Sequence, residues 1–69
     1  MTVTLFFLGN DDFDRPVYEL DGYLYVDVDP RKDWPPAIHT KNNNDFYGEP
    51  CSPVFKDVEI VFDPFRITW

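Results

Sequence analysis

Reactive side chains are scarce in this chain. Its 69 residues include one cysteine (Cys51), one histidine (His39) and one serine (Ser52). A lone cysteine excludes a disulfide within the chain. With His39 it makes only two soft ligands, too few for a closed zinc site. A Cys51–His39 nucleophile pair needs a positive setting to lower the thiol pKa, and the surroundings here are acidic. Catalysis also needs nucleophile, base and oxyanion donors together. The expectation is a non-enzymatic protein with no catalytic residues, no cofactor and no metal site. Cys51 is then read as a small, semi-buried hydrophobe.

Positive charge is also scarce. Six basic residues face thirteen acidic ones, a net charge of −7. That argues against direct contact with nucleic acid or an anionic membrane, which both call for a positive surface. No apolar run approaches the roughly 20 residues that span a bilayer. The opening "MTVTLFFLGNDDFD" lacks a basic leader region and its apolar stretch is short for a signal peptide. With an unpaired thiol, this leaves the cytoplasm as the expected location.

What the chain has in quantity is aromatic surface. Seven Phe, four Tyr and two Trp, each able to bury about 150–250 Å², are ample for one small core, and disordered chains lack them. One domain covering residues 1–69 is expected. At this size folding buries only roughly 60% of the exposable surface, so aromatic packing must carry the stability.

The pattern along the chain is that of strands. "TVTLFFLG" (2–9) is β-branched and apolar on both faces, which predicts a central strand. "VYELDGYLYVDVD" (17–29) carries Asp21-Gly22 between two β-rich runs, a hairpin signature. A two-residue loop would put Tyr18, Leu20, Tyr23 and Tyr25 on one face. A three-residue loop pairs Glu19 with Tyr23 and separates apolar from polar residues better, so it is the expected register. "DVEIVFDPFRITW" (57–69) alternates as a half-buried strand, bends at Asp63-Pro64, and alternates again as a further strand or a continuation past a bulge. Between these, residues 30–56 hold five prolines and "KNNND", with "AIHT" (37–40) as the one short strand candidate. No stretch has a 3.6-residue period. The predicted fold is all-β: a small antiparallel sheet of four to five strands, one long Pro-rich irregular loop (30–56), and little or no helix.

"DFYGEPCSPV" (45–54) lies within that loop. Pro50 and Pro53 have preset φ, Gly48 is conformationally free, and Phe46, Tyr47 and Phe55 can anchor it. It reads as a structural clasp ahead of a recognition loop, with Arg15–Glu49 as the proposed tie. The carboxylates of Asn10–Asp14 read as turn chemistry, since Asp and Asn bond their own backbone and the run lacks the spacing of a calcium loop. Tyr23, Tyr25 and Asp27 on the outer face of the hairpin, with Trp34 and Tyr47 from the loop, form the candidate protein-binding surface. Alternatively, the 30–56 loop covers the hairpin rings.

"FDRPVYELDGYLYVDVD" followed by "IHTKNNNDFYGEPCSPV" resembles a small domain associated with large polyvalent proteins of conjugative elements and phages, also met as short free-standing proteins. The shared pattern is Arg15 to Tyr18, the Asp27-bearing strand and Gly48 to Pro53, within about residues 4–62. The resemblance implies a bacterial mobile-element or phage setting and carries no activity or functional residues. Together these readings point to a protein-binding accessory module with an unidentified protein partner, and a homodimer through an edge strand is open. The alternative is an acidic nucleic-acid mimic that inhibits a DNA- or RNA-binding enzyme. Its carboxylates would alternate along a strand, as at Asp57, Glu59 and Asp63.

Overall fold

A computed structural model describes residues 1–69. Six strands form one sheet: β1 (Thr2–Asn10), β2 (Pro16–Leu20), β3 (Tyr23–Asp27), β4 (Ile38–Lys41), β5 (Pro50–Pro53) and β6 (Glu59–Asp63). Their spatial order is β5-β4-β3-β2-β1-β6. There is no α-helix, only one 3-10 turn at Asn42–Asn44, and no helix long and apolar enough to cross a membrane. The all-β class is as the residue pattern requires. The strand count is six rather than four or five, and the sheet is mixed: β6 runs parallel to β1, with Thr2 beside Glu59 and Leu5 beside Phe62. β1 is indeed internal, between β2 and β6.

The crossing from β5 to β6 constrains the shape. Those strands are the two outer edges of the sheet. Six Cα steps from Pro53 to Glu59 reach at most about 22 Å. Five flat strand spacings would need about 24 Å, so the sheet curls around the face that the crossing covers. Val54 and Phe55 lie on that face with Leu5, Tyr18 and Ile38, the buried centre of the core. Phe7, Leu20, Tyr25, Ile60 and Phe62 pack around them. Tyr18 is the hub, with ring centroids 5.0 Å from Phe62 and 5.9 Å from Phe7. Its hydroxyl accepts a 3.2 Å bond from the Ile67 N–H.

The hairpin has the two-residue loop. Leu20 pairs with Tyr23 and Tyr18 with Tyr25, which corrects the three-residue expectation. Asp21 (φ 53) and Gly22 (φ 86) both take the left-handed conformation that such a turn uses. Glu19 accepts a bond from the Gly22 N–H. Asn44 locks the tip by donating to the Gly22 carbonyl and accepting from the Leu24 N–H. Separation of apolar from polar residues misled because both faces are covered here. Tyr18 is buried on one face, and Val17 and Val26 on the other.

The 30–56 stretch is far from structureless. It holds β4, one residue later than expected, then the 3-10 turn and β5. Residues 42–49 fold back through Asn42 N–H to Glu49 C=O (2.8 Å) and Gly48 N–H to Asp45 C=O (2.9 Å). The Phe46 ring lies over Gly9 of β1. A Cβ on Gly48 would come within 2.3 Å of the Asn42 carbonyl, so the turn requires glycine. The first half of "DFYGEPCSPV" is therefore a clasp across the sheet, and the second half is an edge strand. The expected Arg15–Glu49 tie does not form, because Arg15 engages Asp11.

Residues 64–69 are no further strand. They form a strap whose polar groups bond loop backbone. Arg66 donates to the carbonyls of Trp34 (2.7 Å) and Arg31 (3.2 Å). The Trp69 N–H donates to Pro30, and its indole to the Asp14 carbonyl. A strap bonded in this way has no ladder partner left to pair with.

Candidate functional site

Two carboxylates are buried with cations, and both turn out to be structural. Asp11 Oδ1 accepts from the Phe13 and Arg15 N–H groups, which makes Asn10–Asp14 the self-bonded turn its composition suggested. Asp11 Oδ2 accepts from Arg15 Nε and Nη2, each at 2.9 Å, and faces Lys41 Nζ at 3.6 Å. Burial alone would raise the Asp11 carboxyl, but the bonds from Arg15 and Phe13 outweigh it and hold it below the ordinary value. Burial pushes the Lys41 ammonium down despite the attraction of Asp11. Lys41 Nζ is buried without a hydrogen-bond partner.

Asp27, at the end of β3, is the second buried carboxylate. Its Oδ1 accepts from the N–H groups of Asp29 and Ala37, and Oδ2 faces Arg66 Nη2 at 3.6 Å. No group of three His, Cys, Asp or Glu side chains is assembled as a metal-ligand set.

The five residues of the candidate binding surface do not form one patch. Tyr23, Trp34 and Tyr47 are exposed. Tyr25 and Asp27 are not on an outer face. In the two-residue register they share the core face with Tyr18. Tyr25 is half-buried, its ring 5.1 Å from Phe55, and burial raises its hydroxyl pKa. Asp27 is fully buried. Trp34 stacks under Arg31 at 4.4 Å, in the loop after β3, whereas Tyr23 stands at the hairpin tip.

Cys51 is exposed on β5 rather than semi-buried, since it lies on an edge strand that nothing covers. The one cleft, about 210 Å³, is lined by Pro36–His39 and Pro53–Lys56. It includes His39 but not Cys51, so the two are not brought together in a pocket.

Residue reasoning did not single out the surface along β1 and β6. On the face opposite the core, the 42–49 clasp reaches Gly9 but leaves Phe6 and Val61 exposed at 44% and 46%; Leu8, at the β-bulge between Phe7 and Gly9, is 50% exposed. Glu59 and Asp63 flank Val61 on β6 and are exposed as well. Phe6 neighbours Asp63 across the parallel pair and Glu19 across the antiparallel one. Both-faced apolar character in "TVTLFFLG" was the available signal, and it reads equally well as burial on both sides.

Three carboxylates (Asp11, Asp27 and Asp29) have cationic partners within 4.0 Å. Ten of the thirteen are therefore unpaired. Compared with known protein families, characterised proteins and solved structures, the chain has no match.

Proposed function

We propose that this protein is a non-enzymatic binding module that engages a protein partner through the bare half of its sheet. The observation that carries this reading is the exposure of the apolar side chains Phe6, Leu8 and Val61 on β1 and β6, beside a free strand edge. Apolar surface rimmed by polar residues is what interaction sites present. Tyr47, beside the Phe46 ring that lies over Gly9, adds an exposed ring of the kind enriched at interfaces. The setting, an accessory protein of a bacterial mobile element or phage, is supported by the sequence resemblance alone.

The mimic reading is favoured by the ten unpaired carboxylates. It is weakened at β6, where Val61 stands between Glu59 and Asp63 and breaks the two-residue tiling.

The test is affinity capture from the source cell's lysate, with the native chain beside a Phe6→Thr/Leu8→Thr variant. A protein retained at high salt by the native chain and lost by the variant supports the module. Equal retention by both chains refutes the proposed surface. A nucleic-acid-binding protein lost as salt rises, and displaced by added DNA, would replace the module with the mimic.

A further inference from the structure

The two edges of the sheet are chemically unlike. β5 begins and ends in proline, Pro50 and Pro53, and proline offers no N–H to a new neighbour. β6 reads Glu-Ile-Val-Phe-Asp with no proline inside it. Its backbone has a defined polarity. The Glu59 N–H donates to the Met1 carbonyl at 3.1 Å, so Glu59, Val61 and Asp63 turn their amide groups toward β1. Alternation along a strand then turns the N–H and C=O of Ile60 and Phe62 outward, where β6 has no neighbour.

Side chains at this edge are also incomplete. Ile60 and Phe62 belong to the core, yet both stay half-buried, because the sheet ends beside them. On the other face, Glu59 and Asp63 are exposed, have no cation within 4.0 Å, and flank the exposed Val61. At about 3.3 Å per residue they stand roughly 13 Å apart.

Resting on the binding-module reading, we propose that the outer edge of β6 accepts an extended segment of a partner protein as a seventh strand, carrying Lys or Arg four residues apart. The segment's outward backbone groups bond Ile60 and Phe62, the usual source of affinity in strand addition. Its two cations meet Glu59 and Asp63, with a residue between them over Val61. The two alternate residues are apolar and extend the core past Ile60 and Phe62. A second copy of this chain is rejected by the same charges. Antiparallel pairing centred on Val61 sets Glu59 of one copy against Asp63 of the other, and like charges directly opposite are destabilising. Edge carboxylates thus act as a filter, closing the strand to itself and opening it to a cationic segment.

The test uses the full chain and a capped synthetic peptide, Thr-Lys-Val-Thr-Val-Lys-Thr, beside its counterpart with Glu for Lys. Titration followed by amide NMR and hydrogen exchange is expected to shift and protect the Ile60 and Phe62 amides. The Glu59 and Val61 amides, already turned to β1, gain no protection. Glu59→Lys/Asp63→Lys, with its melting curve as the folding control, is expected to bind the cationic peptide roughly tenfold more weakly, as two attractive exposed pairs become repulsive. That variant should prefer the acidic peptide. Equal binding of both peptides by the native chain, binding that leaves Ile60 and Phe62 exchange unchanged, or no saturable binding would each overturn the proposal. Should a captured protein bind without protecting those two amides, strand addition fails and the binding module stands. Loss of all capture removes the module itself.

Discussion

Asp11→Asn probes the cluster in which one buried carboxylate faces two cations, and its outcome can be worked from the contacts. Oδ1 survives as the acceptor for the Phe13 and Arg15 N–H groups, so the turn itself is retained. Oδ2 becomes an amide nitrogen, a donor set against the Arg15 guanidinium at 2.9 Å and the Lys41 ammonium at 3.6 Å. Lys41 is then a buried cation with neither counter-charge nor hydrogen bond. Removing one partner of a buried pair costs about 3–5 kcal/mol, against a total stability of roughly 3–10 kcal/mol for a chain of this length. The variant is expected to be largely unfolded, or to melt at least about 12 °C lower.

Lys41→Met in the native background and with Asp11→Asn keeps the reasoning testable. Lys41 has no hydrogen bond to lose, so Met at position 41 is expected to be neutral or stabilising and to restore much of the loss. Urea titration followed by circular dichroism measures all four chains.

The pH dependence has a definite sign. Asp11 sits below its ordinary value when folded, so its contribution is complete above the ordinary carboxylate range and is lost as pH falls through the folded value. Lys41 is lowered, so the unfolded chain binds more protons between the folded value and 10.5, and stability rises with pH across that window. An Asp11→Asn chain with an unchanged urea midpoint would refute the account of a buried, uncompensated lysine.

Two further outcomes are expected. Arg66→Ala leaves Asp27 buried without its cation and frees the strap, costing about 3–5 kcal/mol, and amide exchange at Ile67 and Trp69 should rise ahead of that at Val26. Glu49→Ala should change stability by no more than about 0.5 kcal/mol, since Arg15 pairs with Asp11 and Glu49 is exposed; a melting point several degrees lower would show that the side chain has a partner after all.

The strands of the first half were legible because their signals are local. β-branched and aromatic runs, Asp21-Gly22 and the proline punctuation each act within a few residues. The hairpin register was not legible, since it depends on whether one face or both are covered, and that is decided by distant residues: Phe46 lies over Gly9, which pairs with Val17, and Lys41 reaches Asp11. The same non-local cause placed Tyr25 and Asp27 inside. β5 was hidden by Pro50 and Pro53, which argue against a strand unless it is known to lie at an edge. Nothing local marks β6 as parallel to β1, because the partners are 57 residues apart. Candidate surface residues follow the same division: Tyr23, Trp34 and Tyr47 are exposed, but on different parts of the molecule, and apolar residues on both faces of "TVTLFFLG" predict a central strand without marking Phe6 as exposed.

Pairing between β1 and β6 also sets an order of events. β1 has its antiparallel neighbour β2 within a few residues, and the β2–β3 hairpin needs only Asp21 and Gly22. The other side of β1 must wait for Glu59–Asp63 to be made. Closing so large a loop is entropically costly before any contact rewards it, so this one non-local pairing follows the four between consecutive strands. During synthesis, β1 therefore leaves the ribosome with Leu5 and Phe7 only half covered, and stays so until Glu59–Asp63 has emerged. An interrupted or truncated chain lacking residues 59–69 would expose β1 as a naked hydrophobic edge, the form in which this domain is most prone to aggregate.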